Sequence, residues 1–388
     1  MEENNMEINE LVTPSYVFNT DVLKSRMDNI KTIIGDRAQV CFAMKANPFL
    51  IGPMNEYTDK YEVCSPGEYE ICNSTNIPPE KIVVSGVNKT QSSMERILSL
   101  SGGKGIYTIE SMMHYEVLSS LAARLKLNIK VIIRLSSGNQ FGVDKDNFML
   151  ILDRIVKDEN LTFEGVHFYS GTQKKLQKVE KELAMLSQFA EDIRNKYAIK
   201  HMELEYGPGL CVTYFQSDKP VDDKTQLESL AELLDRVTGY EKITIEMGRF
   251  IATSCGSFIT KIIDMKKTEN TNYLIIDGGI HQLNYYGQIM GMKCPYMEIV
   301  PERESMTTQA YNICGSLCTV NDVIVKEAPM PQIQPGDTIV FKNTGAYSVT
   351  EGMALFLSRE LPQIYFYSDN KGYEVVRKLS GAHIINSI

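Results

Sequence analysis

The sequence predicts an α/β protein: a (β/α)8 TIM-type barrel followed by a mostly β C-terminal domain. Eight short apolar runs alternate with helix-like stretches between residues 38 and 247. Each run is followed by a residue of reactive, small or phosphate-binding type. Beyond residue 255 the long helical spacing stops and short β-rich runs take over.

The eight runs are Ala38–Met44, Tyr61–Cys64, Lys81–Ser85, Gly105–Ile109, Ile129–Ile133, Phe163–Phe168, His201–Tyr206 and Lys242–Met247. Between them, Ser111–Leu125, Lys174–Lys196 and Thr225–Val237 carry apolar residues at helical spacing. In the second of these, Leu176, Val179, Leu183, Leu186, Ala190 and Ile193 form one buried stripe. Periodicity alone also allows an open doubly wound sheet. The residues after the runs favour the barrel: Lys45, Ser65, Gly86, Glu110, Arg134, Tyr169, Gly207 and the pair Gly248-Arg249. Barrel enzymes assemble their sites from the C-terminal ends of many strands.

The barrel is expected over residues 20–255 and the β-rich domain over 256–388, with the segment 1–19 joining the latter. Phe258–Lys266, Asn272–Ile276, Gln309–Cys314, Asn321–Val325 and Asp337–Phe341 are its predicted strands, and Gln334-Pro335-Gly336-Asp337 a turn.

The chain has 388 residues, of which 23% are charged and 43% hydrophobic, with a net charge of -9. That balance describes a globular protein and argues against nucleic acid as a partner, since no basic run offers phosphates a footprint. The acidic, polar start does not read as a secretory leader. No stretch of about 18 apolar residues predicts a membrane span. The eight cysteines do not form a disulfide framework and the five histidines are scattered. Cys314 and Cys318 have no second pair to complete a zinc site, so no metal is expected. A cytoplasmic location follows as the expectation.

Lys45 ends the first run. A lysine there would leave its ammonium at the barrel mouth, partly desolvated, with a lowered pKa and a competent amine nucleophile. Taken alone, a strand-end lysine reaching to solvent is the commoner situation.

Context changes that balance. The run Phe42-Ala43-Met44-Lys45-Ala46-Asn47 resembles the cofactor-lysine motif of the fold-type III decarboxylases that use pyridoxal phosphate. That family includes ornithine, arginine and diaminopimelate decarboxylases and shares its barrel with alanine racemase. The resemblance continues in order: Tyr61–Glu68, with Glu62 where an Asp is usual; Arg134 and Gln140-Phe141-Gly142; His167–Thr172; Leu204–Gly209; Glu246–Arg249; Gly315–Asp322; and Gly345-Ala346-Tyr347. Singly each motif is weak, but their common order is not.

The resemblance implies a role for each position. Lys45 would form the Schiff base, and Glu246 would hold the proton on the pyridine nitrogen, as an electron sink requires. Tyr169 would stack on the ring, with Arg134 beside the cofactor. Thr172, Gly207, Gly209, Gly248, Arg249 and Tyr347 would receive the 5′-phosphate through amides, hydroxyls and a cation. Cys318 would return a proton to the carbanion, reaching the site of a neighbouring subunit, so a homodimer with shared active sites is implied. Thr319, Asp322 and Tyr286 are the substrate-side candidates.

Three departures bear on the substrate. Tyr169 replaces a histidine and cannot carry its charge. Pro208 interrupts a glycine triplet and removes a backbone donor. Thr319 stands where diamine-forming members carry an acid, so a distal ammonium loses its obvious partner. Cys318-Thr319 with Phe356-Leu357-Ser358 looks more like the branch acting on glutamyl groups tethered to carrier proteins. The expected activity is therefore removal of the α-carboxylate from an amino acid or a carrier-bound aminoacyl group. Diaminopimelate or ornithine/lysine-type decarboxylation, racemisation and non-catalytic cofactor binding are the alternatives.

Overall fold

The computed structural model describes residues 6–303 and 307–388. It divides into two compact units. One is the barrel, Arg26–Val212 with Val221–Ile251. The other is β-rich and takes in the described residues up to Ser25, Thr213–Pro220 and Ala252–Ile388. Residues 1–5 of the expected N-terminal segment lie outside the described residues.

The first strand, β1 (Ser15–Asn19), belongs to the β-rich unit. The barrel strands follow: β2 (Gln39–Ala43), β3 (Lys60–Val63), β4 (Ile82–Val84), β5 (Ile106–Ile109), β6 (Ile129–Arg134), β7 (Leu161–Tyr169), β8 (Glu203–Gly207) and β9 (Lys242–Met247). They pair in parallel in that order, and β9 returns to β2, so the sheet closes. The doubly wound alternative is thereby excluded.

Several helices start at a capping residue in the loop that follows a strand. Ser65, Thr90, Ser111, Asp144 and Asp222 each accept a hydrogen bond from the amide three residues on. Ser65, grouped by sequence with the reactive strand ends, is thus tied to the amide of Glu68 at 3.1 Å and starts the helix Pro66–Ser74. The helix Leu176–Tyr197 buries Val179, Leu183, Leu186, Ala190 and Ile193, while Leu176 stays half-buried. Phe189 adds to its buried face and meets Phe148 edge-on at 4.9 Å between centroids.

The barrel interior is divided in kind. Cys41, Val83, Ile106 and Ile132 form an apolar cluster on one side. Strands β3, β7, β8 and β9 instead bury Lys60, Glu62, His167, Glu203, Glu205, Thr244 and Glu246. Successive strand residues face opposite sides, so alternating charged residues on these strands share one face.

In the β-rich unit, β10 (Gly256–Thr268), β11 (Thr271–Ile276), β12 (Met297–Val300), β13 (Gln309–Cys314), β14 (Val323–Met330), β15 (Thr338–Phe341), β16 (Glu360–Leu361), β17 (Gln363–Ser368), β18 (Gly372–Arg377) and β19 (Ser380–Gly381) follow. The main sheet runs β14-β13-β11-β10-β1-β17-β18, with β12 and β15 attached through β10. β1 lies antiparallel to β10 and parallel to β17, which knits the start of the chain to its end. Leu11, Val17, Ile259, Val340 and Tyr365 form the core beneath it.

Candidate active site

Lys45 leaves the end of β2 in a single 3-10 turn, Met44–Ala46. Its Nζ lies 2.6 Å from Glu62 Oε2 on β3 and 3.3 Å from Glu246 Oε1 on β9. Cys64 Sγ is 3.7 Å away. The other oxygen of Glu246 meets His167 Nε2 at 3.2 Å. The strands β3 and β9, which carry Glu62 and Glu246, flank β2 in register: Ala43 opposes Glu62, and Phe42 opposes Met247.

Charge follows from these contacts. Burial works against a charged Glu246, but Lys45 and His167 outweigh it and hold its carboxyl well below the usual range. Glu62 is pushed up to about 7 by burial and by Glu246, against the pull of Lys45. Burial lowers His167 and keeps its ring neutral, despite the hydrogen bond to Glu246 that favours the cation. One anion, one carboxyl titrating near neutrality and one amine therefore meet at the mouth.

Deeper in the barrel, Glu205 is 1% exposed and neither carboxylate oxygen has a hydrogen-bond partner among the described residues. Burial raises its pKa well above the ordinary value. His167, Glu205 and Glu246 each place one donor atom within 4.8 Å of the others, a spacing compatible with a cation. Glu246 is already engaged by Lys45 and His167, and a protonated Glu205 is a poor ligand. Glu205 thus stands as a buried acid beside the His167–Glu246 contact.

Tyr169 ends β7 opposite Gly207, the last residue of β8. Its ring lies so close over Gly207 that a Cβ there would collide with it. Gly209 has φ +58°, and a Cβ on it would run into the carbonyl of Gly171. A Cβ on Gly248 would come 2.8 Å from that of Ala46, directly after Lys45. Arg249 opens the helix Arg249–Ala252, and Thr172 is half-buried in the loop after β7. Arg134 Nη1 binds Glu110 Oε2 at 3.3 Å, and its guanidinium lies 4.8 Å from the Phe141 centroid. The fold thus brings Lys45, Arg134, Tyr169, Thr172, Gly207, Gly209, Glu246, Gly248 and Arg249 to the strand ends of one barrel. These are groups that suit pyridoxal phosphate: an amine, a buried anion for a ring nitrogen, an aromatic face and a side-chain-free loop for an anion.

The remaining candidates sit in the β-rich unit. Cys318 is exposed and Thr319 half-buried in the loop between β13 and β14, and Tyr347 is half-buried with φ +68°. Tyr286 is 50% exposed. Asp322 lies at the base of the Cys318 loop. Expected on the substrate side, it is buried, and its two oxygens accept the amides of Ile280 and Leu317, each at 2.8 Å. Through these two amides it ties the Cys318 loop to the loop after β11.

Several of these buried charges escaped sequence reasoning. Glu62 was noted only as a departure from the usual Asp, and Lys60, Glu203 and Glu205 were not singled out. The signal was present as Lys60-x-Glu62 and Glu203-x-Glu205, charged residues in alternation within runs otherwise fit for a buried strand.

A closed parallel barrel with a lysine between two carboxylates at its mouth defines a cofactor-dependent enzyme of the pyridoxal type. Comparison with known proteins makes this specific. Residues 20–253 match the family model "Pyridoxal-dependent decarboxylase, pyridoxal binding domain". The chain is 25% identical over 395 residues to the L-glutamyl-[BtrI acyl-carrier protein] decarboxylase of Niallia circulans, covering 94% of this chain and 91% of that one. It is 26% identical over 361 residues to the diaminopimelate decarboxylase of Aquifex aeolicus, covering 86% and 82%. The diaminopimelate decarboxylase of M. jannaschii, solved with L-lysine, shares the fold at a TM-score of 0.85 and 20% identity, over 97% of this chain and 92% of that one. The chain belongs to the pyridoxal-dependent decarboxylase family. It is an amino-acid decarboxylase whose cofactor is pyridoxal phosphate.

Proposed function

We propose that Lys45 is the residue that carries the cofactor, and that the substrate is an amino acid lacking a simple distal ammonium, including an aminoacyl group held on a carrier protein. The observation that carries the first part is the placement of Lys45 Nζ between Glu62 and Glu246, with Glu246 also held by His167.

Each residue has a task. Glu62, titrating near 7, takes the proton that Lys45 must lose to act as a nucleophile. Glu246 stays ionised and holds a proton on a ring nitrogen placed against it. Tyr169 would cover one ring face, and the Gly207–Gly209 loop with Gly248, Arg249 and Thr172 would receive the phosphate. Bound pyridoxal phosphate supplies the electron sink for the pair left on the α-carbon when CO2 departs. Cys318 then delivers a proton to that carbon. Its exposed position on an ordered loop supports a donor working in a second copy of the chain, within a homodimer.

The substrate reading is supported by the hydroxyl of Thr319 where a carboxylate would pair with a distal cation, and by the similarity to the carrier-protein glutamyl enzyme. A diaminopimelate-type substrate is the second reading, favoured by the similarity to the Aquifex aeolicus enzyme. All eight cysteines are free, which supports a reducing, cytoplasmic setting. Among the described residues, no helix is long and apolar enough to cross a membrane.

The test measures CO2 release from free L- and D-amino acids, from diaminopimelate and from carrier-loaded aminoacyl groups. Release from a carrier-loaded or non-diamino substrate is expected. Release confined to diaminopimelate, ornithine or lysine overturns the substrate reading. Exchange of the α-hydrogen in D2O with the carboxylate retained would assign a racemase instead.

A further inference from the structure

The loops after β7 and β8 are joined by a lysine that the site described above does not use. Lys174 is buried, and its Nζ donates to the carbonyl of Gly207 at 2.8 Å. Its own amide donates to the carbonyl of Gly209, also at 2.8 Å. One residue therefore takes both carbonyls that flank Pro208. Nζ is also 2.7 Å from Glu182 Oε2, 3.3 Å from Ser170 Oγ and 3.4 Å from the Tyr206 hydroxyl, which itself donates to Glu182 at 2.7 Å. Gln173 completes the seam, bonding Val212 in both directions at 3.0 and 2.7 Å.

The electrostatic consequence is directional. A phosphate is attracted by amide N–H groups and repelled by carbonyl oxygens, so a phosphate loop must turn its carbonyls away. In an all-glycine loop the backbone can rotate to do so. Pro208 has no N–H, so the loop has one amide fewer for the anion, and the Gly207 and Gly209 carbonyls need a partner that turns them away. Lys174 supplies it, and Glu182 balances its charge, so the lysine acts on the loop and not as a free cation.

We propose that Lys174 is a positioning residue of the phosphate cradle, holding the Gly207 and Gly209 carbonyls back so that the loop presents its remaining amides to the anion. This rests on the reading that the Gly207–Gly209 loop receives the 5′-phosphate.

The test compares the affinity of the cofactor-stripped chain for pyridoxal phosphate and for pyridoxal, which lacks the phosphate, by absorbance titration. The double variant Lys174→Met/Glu182→Leu removes the buried pair together, a change that buried ion pairs often tolerate without unfolding. Pyridoxal phosphate affinity should fall about 10- to 100-fold, the worth of the one charge-assisted hydrogen bond from the side chain to the Gly207 carbonyl, with pyridoxal affinity unchanged. Lys174→Gln, which retains a shorter donor, should show a smaller loss in the same ratio. An unchanged ratio in both variants, whether through equal losses or none, overturns the proposal. Wild-type chain that binds pyridoxal phosphate no better than pyridoxal would instead remove the phosphate-loop reading beneath it.

Discussion

The barrel mouth around Lys45 and the Cys318 loop of the β-rich unit are built in opposite ways. At the mouth, the buried Glu62, His167 and Glu246 of β3, β7 and β9 meet the half-buried Lys45 just beyond β2, and each sets the protonation of the next. The Cys318 loop is exposed at its tip, with Val320 at 89% exposure, and only its base is organised, by the buried Asp322. The difference teaches that cofactor chemistry and proton return require different surroundings. An amine and a ring-nitrogen anion work through a fixed field in low dielectric. A thiol in the role proposed for Cys318, serving a second copy of the chain, would instead have to remain accessible until that copy arrives.

The largest expected effect lies at the mouth. Lys45→Ala should abolish the cofactor's visible absorption band and lower turnover by about a thousandfold or more. A normal band in that variant would show that another amine carries the cofactor, and would end the comparison.

Cys318→Ala should separate the two regions. Turnover should fall about 10²- to 10³-fold, as for loss of a positioned proton donor, with the absorption band intact. Asp322→Asn should move turnover in the same direction by releasing the loop, again without touching the band. A weakened band in either variant would mean that the loop shapes the cofactor site itself.

The smallest effect concerns pH. Glu62 has its folded pKa raised to about 7, above the ordinary carboxyl value, chiefly by burial. Between that ordinary value and about 7 the folded chain therefore holds a proton that the unfolded chain releases. Any stability linked to this proton is present at low pH and is lost as pH rises through about 7. In the same window the ionised carboxylate becomes able to accept the proton of Lys45. The rate of cofactor capture by stripped chain should rise through about pH 7 in the wild type. In Glu62→Gln that limb should disappear or move by at least one unit. A wild-type limb retained in the variant assigns the titration to another group.

Much of the barrel was legible because its signals are local. Each β-strand needs only a short apolar run, and Ser111 marks a helix start through a hydrogen bond three residues away. The β-rich unit was less legible. β12 and β16–β19 were not anticipated, since β12 and β16 are short and their pairing partners lie far along the chain or beyond a bend. The contacts of Asp322 were not legible for a related reason. Its partners Ile280 and Leu317 lie on two separate loops that no spacing in the sequence brings together.

The sequence by itself determined the alternation that makes a barrel, the place of Lys45 at the end of its first strand, and the ordered motifs that resemble a pyridoxal-dependent decarboxylase. Only the tertiary structure decided which acids surround that lysine, that Glu246 is the ionised one while Glu62 titrates near neutrality, and that Lys174 holds the loop around Pro208. The reason is physical. Strand and helix signals arise between residues a few positions apart, whereas protonation and carbonyl orientation depend on burial and on charges brought together from distant strands.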